Sequence, residues 1–302
     1  MKELEPDMKH NYIASFIIPV RISNQGRLEN LYQILDWLAD LKDEIEVIVV
    51  EMDTHAKFEP ERATKHVFVE SNDAFNRGLA RNIGALHAST DILVFGDADV
   101  VFNHAQLLQA IESCLDRFDA VSPWSRIYDV SHSEKEKLIG HFGDISTLYK
   151  SDVEQTSKTM ISECVDFLNQ ERSFAGGNVI FTRDSFVRIG GWPMDLTGWG
   201  GEDDIMSYLC FRTLTINRQD GSAYHLPHKR DVTDTNAHSS YKSNFKKMED
   251  VFNMSDAELH DYMLNNRVML FETESGFSES VRSNYFDVDK NIALKDNQHR
   301  WN

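Results

Sequence analysis

The chain has 302 residues, 41% hydrophobic and 11% aromatic, which is enough apolar material for one large folded domain or two small ones. Its formal charge of 31 − 49 = −18 argues against nucleic acid or an anionic membrane as a general partner, since both need clustered Lys and Arg. Cys114, Cys164 and Cys210 are odd in number and widely spaced, so they fit neither a disulfide framework nor a zinc site and read as isolated buried thiols.

No apolar run approaches the roughly 20 residues that span a bilayer, so no transmembrane segment is expected. Residues 1–10 are polar and lack the apolar core of a signal peptide, so a cytoplasmic setting is expected.

In chain order, short apolar runs predict strands over 15–20, 46–50, 66–70, 91–95 and 120–122. Between them, helical periodicity covers 28–41, 74–87 and 105–118. Continuous apolar strands alternating with helices predict an α/β fold whose mostly parallel sheet is covered on both faces. In such sheets ligands bind beyond the carboxyl ends of the strands. Residues 126–172 are charged, read as mostly helical and carry no strand signal. Strands are expected again over 178–181 and 213–216. Beyond Thr233 the chain is polar until Ser255-Asp256-Ala257-Glu258, a capping box that opens a last helix. The tail after Glu272 reads as extended or loosely held.

Chemistry concentrates at a few places. Asp97-Ala98-Asp99 directly follows a predicted buried strand, where oxygen ligands suit magnesium or manganese bridging a diphosphate. A plain strand-end turn is the bland alternative. Asp287-Val288-Asp289 has the same spacing but follows no such strand. His225-Leu226-Pro227-His228, beside Lys229 and Arg230, offers an imidazole to a metal otherwise held by carboxylates, or forms a solvated turn. Ala74-Phe75-Asn76-Arg77-Gly78 and Arg81-Asn82-Ile83-Gly84 place two arginines at a helix start, which favours an anion or local salt bridges.

Pro19-Val20-Arg21 ends the first strand, where a nucleotide's base or ribose fits. Phe174-Ala175-Gly176-Gly177-Asn178 implies a tight turn or a close backbone approach. Gly190-Gly191-Trp192-Pro193 is a second glycine–aromatic turn, with Trp192 in the core or at the site. Gly198-Trp199-Gly200-Gly201-Glu202-Asp203-Asp204 combines tight turning, a flat ring and three acids at a helix start. The acids suit the helix dipole, but the ring between glycines suits a sugar.

Taken in order, these motifs resemble the metal-dependent GT-A glycosyltransferases. The likeness is greatest to the beta-1,4-galactosyltransferases and to bacterial family 2 transferases such as chondroitin-type polymerase domains. It runs from about Ser15 to His228. It rests on Ile18-Pro19-Val20-Arg21, Phe75-Asn76-Arg77, Asp97-Ala98-Asp99, Phe174-Ala175-Gly176-Gly177 and the Gly198–Asp204 stretch.

The resemblance implies a Rossmann-like GT-A domain over 1–232, with a nucleotide-sugar half at about 12–125 and an acceptor half at about 172–232. Residues 233–302 would form a helical or extended addition packed on it. By the same likeness Pro19, Val20 and Arg21 border the uridine and Arg77 lies near the diphosphate. Asp99 coordinates Mn2+ or Mg2+, with Asp97 near the ribose or metal, and Ala98, Gly177 and Gly201 line the donor site. His225 stands where the galactosyltransferases have a methionine and His228 where they have a histidine, so both are metal candidates. Trp199 stacks on a sugar, Glu202 holds donor hydroxyls and Asp203 is the general base.

The implied activity is inverting transfer of a hexose or N-acetylhexosamine, galactose-type favoured, from a UDP-sugar to a saccharide or glycoconjugate acceptor. With neither a membrane anchor nor a disulfide pair in the sequence, a bacterial cytoplasmic enzyme of polysaccharide or glycolipid assembly fits the likeness better than a Golgi one. Two other readings stand beside it: an inactive sugar-nucleotide-binding module on the same fold, and a sugar nucleotidyltransferase. The second normally has a glycine-rich basic loop after the first strand, where this chain has Ile22-Ser23-Asn24-Gln25-Gly26-Arg27.

Overall fold

A computed structural model describes residues 11–138, 154–155, 174, 177–228 and 240–274. Strand β1 (Ala14–Val20) is buried at every position, as a central parallel strand requires. It leads to helix α1 (Gln25–Leu38), capped by the Asn24 side chain on the Arg27 amide. Strands β2 (Ile45–Asp53) and β3 (Lys65–Glu70) precede helix α2 (Arg77–His87). That helix starts three residues later than its periodicity suggests, because the Asn76 side chain takes the Leu79 amide as an N-cap.

Strands β4 (Ile92–Phe95) and β5 (Val100–Phe102), helix α3 (His104–Asp116) and strand β6 (Ala120–Ser122) follow. Next come β7 (Arg126–Asp129), α4 (His132–Leu138) and β8 (Glu154–Gln155). After β9 (Val179–Thr182) and α5 (Arg183–Arg188), the chain forms α6 (Glu202–Thr213), β10 (Ile216–Arg218) and β11 (Ser222–His225). Helices α7 (Tyr241–Phe252) and α8 (Asp256–Glu274) close the described chain.

Seven strands form the main sheet in the order β10-β6-β9-β4-β1-β2-β3. The sheet is parallel except for β9, which enters antiparallel between β4 and β6. Alternating side chains of β1 divide the core into two layers. Ile17 faces a cluster with α2, α5, α6 and the last two helices. Phe16, Ile18 and Val20 face α1, α3 and a small second sheet. That second sheet has the order β5-β11-β7-β8, and its strand β5 follows β4 directly after residues 96–99. The fold is α/β with a mostly parallel sheet flanked by helices, as the alternation predicts.

Two expectations need correction. Residues 213–216 do not form one strand. Thr213 ends α6, its hydroxyl donating to the Leu209 carbonyl at 2.6 Å, and β10 begins only at Ile216. The buried stripe of Ile205, Met206, Leu209 and Cys210 carries the helix through a locally β-like sequence.

Residues 126–172 do contain strand. β7 pairs with β11, and no residue of it is fully buried: Arg126 is exposed and Ile127, Tyr128 and Asp129 are half-buried, so no apolar run marked it. Helix α4 agrees with the helical reading, while 139–153 and 156–173 lie outside the described residues. The polar stretch after Thr233 includes α7, whose buried face is only Asn244, Met248 and Val251. The expected capping box is present, with the Ser255 amide donating to Glu258 Oε2 at 2.8 Å and the Glu258 amide to Ser255 Oγ at 3.4 Å. The tail from residue 275, Cys164, Lys229 and Arg230 lie outside the described residues. Cys114 and Cys210 are buried free thiols.

Candidate active site

The main sheet delivers its acids at the end of β4. Gly96 turns the chain against Phe16, where an added Cβ would lie 2.5 Å from the ring. Asp97 and Asp99 then diverge into two clusters.

Asp99 meets the two histidines. β5 pairs antiparallel with β11 so that Val100 faces His225, and the Leu226 amide donates to the Asp99 carbonyl at 2.7 Å. His228 Nε2 lies 3.2 Å from Asp99 Oδ2, and His225 Nε2 lies 3.7 Å from Oδ1. One oxygen and two imidazole nitrogens converge within 4.8 Å of one another. A mixed oxygen–nitrogen set of this kind fits manganese better than magnesium, which prefers oxygen alone. Both histidines could therefore serve as ligands together with Asp99, and Asp97 lies outside this cluster.

The β7–β11 register sets Asp129 opposite His225, and Asp129 Oδ1 is 2.7 Å from His225 Nδ1. That contact orients the ring so that Nε2 faces the ligand position, the usual support for a metal-binding histidine. Burial by itself would lower the His225 imidazolium, but Asp99 and Asp129 outweigh it and raise the group to about 10. Burial alone would likewise raise the Asp99 carboxyl, and the facing histidines instead hold it far below the ordinary carboxylate range. The pocket favours a cation, and a metal would displace the proton.

Asp97 points the other way, to Arg81. This arginine is fully buried on α2 and forks between two carboxylates: Nη2 reaches Asp97 Oδ1 at 2.9 Å and Nη1 reaches Asp203 Oδ1 at 3.1 Å. One turn earlier, Arg77 Nη1 lies 3.3 Å from Glu202 Oε1 and donates to the Gly198 carbonyl at 2.9 Å. Two arginines four residues apart on one helix face thus grip two successive acids of α6. Arg77, expected beside a diphosphate, holds Glu202 and the glycine turn.

Burial pushes the Asp203 carboxyl up to about 7, with Glu202 and Asp97 adding to the rise and Arg81 and Arg77 opposing it. Its side chain keeps 23% of its surface exposed, enough for a ligand to reach it.

Helix α6 starts with Glu202, Asp203 and Asp204 in its first turn, where the helix dipole favours them. Its N-cap is Gly201 at φ +92°, a left-handed conformation that a side chain would strain. Trp199 is half-buried. Its amide donates to Ser240 Oγ at 3.2 Å, and its ring stacks on Tyr241 at 5.9 Å and 18°. Asn244 donates to the carbonyls of Thr197 at 3.0 Å and Trp199 at 3.1 Å. Helix α7 therefore holds the glycine–tryptophan turn in place.

The remaining expected residues are more dispersed. Pro19 and Val20 are buried in β1. Arg21 donates to the carbonyls of Met52, at 2.8 Å, and of Ser71 and Asp73, tying the ends of β2 and β3 together. Gly177, at φ +63°, lies against Arg81, and an added Cβ would come within 1.9 Å of Nη2. Ala98 is half-buried between the two clusters, and Ala175 and Gly176 lie outside the described residues. Trp192 is core, fully buried beneath the Arg81 guanidinium. Sequence reasoning missed Asp129 and Asn244, which are lone polar residues without any motif. It noticed Arg81 but not its two partners.

Two family models match the chain: Glycosyl transferase family 2 over residues 15–186 and N-terminal domain of galactosyltransferase over residues 159–229. Chondroitin sulfate N-acetylgalactosaminyltransferase 1 of Mus musculus and of Homo sapiens are 25% and 26% identical to it over 181 residues, 58% of this chain. The chain spans about a third of the length of these relatives (31%). Among solved structures, S. aureus TarS 1-349 in complex with UDP-GlcNAc superposes with a TM-score of 0.51 at 15% identity, covering 92% of this chain and 76% of that one.

Proposed function

The chain belongs to glycosyl transferase family 2, and from that premise we propose that it is a metal-dependent, inverting hexosyltransferase using a UDP-sugar donor and a saccharide acceptor. One observation carries the reading: Arg81 joins the acids of the β4 end to those of the α6 start, with the Asp99–His225–His228 cluster on the far side of the first pair. A donor diphosphate near the cluster and an acceptor hydroxyl near Asp203 fit that layout. The names of the relatives support a galactose or N-acetylgalactosamine donor.

Asp99, His225 and His228 would hold the metal, which supplies positive charge against the departing diphosphate. Asp203 accepts the acceptor hydroxyl's proton as that oxygen bonds to the anomeric carbon and the carbon–oxygen bond to UDP breaks. Glu202, steadied by Arg77, accepts hydrogen bonds from donor-sugar hydroxyls, and the Trp199 ring packs on a sugar face. A single base without a second nucleophile supports one displacement and inversion. The packing of α7 on the glycine–tryptophan turn supports reading 233–302 as an addition to the same domain as 1–232.

The test is a panel of UDP-sugars assayed with and without Mn2+ for thermal stabilisation and for UDP release. We expect metal-dependent stabilisation by one or two of them and faster UDP release with saccharide acceptor. Stabilisation without any release would favour the inactive binding module. No stabilisation by any nucleotide sugar would overturn the reading.

A further inference from the structure

We infer that Arg81 is a positioning residue: its forked guanidinium sets the distance between Asp203, the base, and Asp97, at the donor end of the site. The inference rests on the transferase reading above. The two carboxylates come from elements far apart in the chain, the loop after β4 and the first turn of α6. Arg81 is a direct ionic bridge between them, at 2.9 Å to one and 3.1 Å to the other. Each contact uses a different terminal nitrogen, so the planar fork fixes their relative place as a single ammonium cannot.

The surroundings hold that fork in one orientation. The Trp192 ring lies beneath it, its centroid 4.1 Å from Cζ. Gly177 closes the other side, where any Cβ would meet Nη2 at 1.9 Å. Asn82, next on α2, pins the Trp192 backbone through hydrogen bonds of 2.9 Å to its amide and its carbonyl. Arg81 Nε makes no hydrogen bond, so stability alone does not account for this side chain. A buried ion pair is often replaceable by apolar packing without loss of stability. Its fork orders the two halves of the site before ligands arrive.

Arg81→Lys tests the assignment, because it keeps the charge but not the two-armed reach. Gly177→Ala tests it independently, leaving Arg81 intact while pushing its Nη2 aside. For each variant, kcat for transfer, donor KM and Mn2+-dependent stabilisation by UDP are measured beside wild type. We expect kcat to fall at least about tenfold in both, toward about 100-fold, with donor KM and UDP stabilisation within about threefold of wild type. A merely structural role would lower the melting temperature without this split.

Arg81→Lys with kcat within threefold of wild type overturns the inference. So does a loss in UDP binding proportional to the loss in kcat, which would make Arg81 a donor-binding group. If Arg81→Lys does not fold, the Gly177→Ala kinetics decide. A wild-type protein without nucleotide-sugar-dependent turnover refutes the transferase reading itself, so the two failures are distinguishable.

Discussion

Asp203 carries two opposing demands. As the proposed base it must be a carboxylate to accept a proton, yet burial and the neighbouring Glu202 and Asp97 raise it to about 7 against the pull of Arg81 and Arg77. A base poised there loses activity as pH falls, because its protonated form cannot accept the hydroxyl proton. We expect kcat to decline through an acid limb near 7, measured between about pH 5.5 and 8.5. Asp203→Asn is expected to lower kcat by about 10²–10⁴ while UDP binding stays largely intact. A nearly full-rate Asn variant would remove Asp203 from this role. On the other flank, Asp129 touches His225 from behind the metal cluster. Asp129→Asn should weaken manganese binding by about 10- to 100-fold, read from the midpoint of a metal titration by thermal shift.

Among the elements, α7 has the least obvious importance in sequence and a direct effect on the site. Its Asn244 is buried and saturates the carbonyls of Thr197 and Trp199. Asn244→Ala leaves those carbonyls short of a donor and should cost about 1–3 kcal/mol, seen as a lower urea midpoint with an unchanged slope. Amide hydrogen exchange should rise over residues 197–201.

Legibility in the sequence follows burial. β1, β4 and the 47–50 part of β2 are largely apolar runs because both faces are covered, and their positions could be read directly. β5, β7 and β11 are short, and only register reveals them. The acids after β4 and at the start of α6 were legible because each abuts an element end. Asp129 was not, since its meaning comes from lying opposite His225 across a strand pair. The partners of Arg81 were equally hidden, because nothing local to α2 says which carboxylates α6 and the β4 loop bring over it.

At the scale of the whole molecule, both layers beside the sheet reach the candidate site: α2 and α6 bring Arg81, Glu202 and Asp203 from one, and the β5–β11 pair brings Asp99, His225 and His228 from the other. Trp37 is fully buried in the layer of α1, α3 and the second sheet, edge-on to Phe16 at 5.9 Å and tilted against Phe102 at 5.1 Å. Trp37→Ala should cost about 3–5 kcal/mol in urea unfolding. An unchanged urea midpoint would contradict this. Among the described residues, no helix is long and apolar enough to cross a membrane.

The antiparallel strand β9 has a consequence for how such an enzyme can change. It comes from residues 179–182, late in the chain, yet among the described residues it is what links β4 and β6 in the main sheet, both of which come from residues 12–125. The two segments are woven, not stacked. A recombination that traded residues 12–125 for those of another transferase would need β4 and β6 to accept a foreign strand between them. On the proposed reading, new specificities are therefore reached more easily by point changes in the loops at the sheet edge than by the exchange of whole segments.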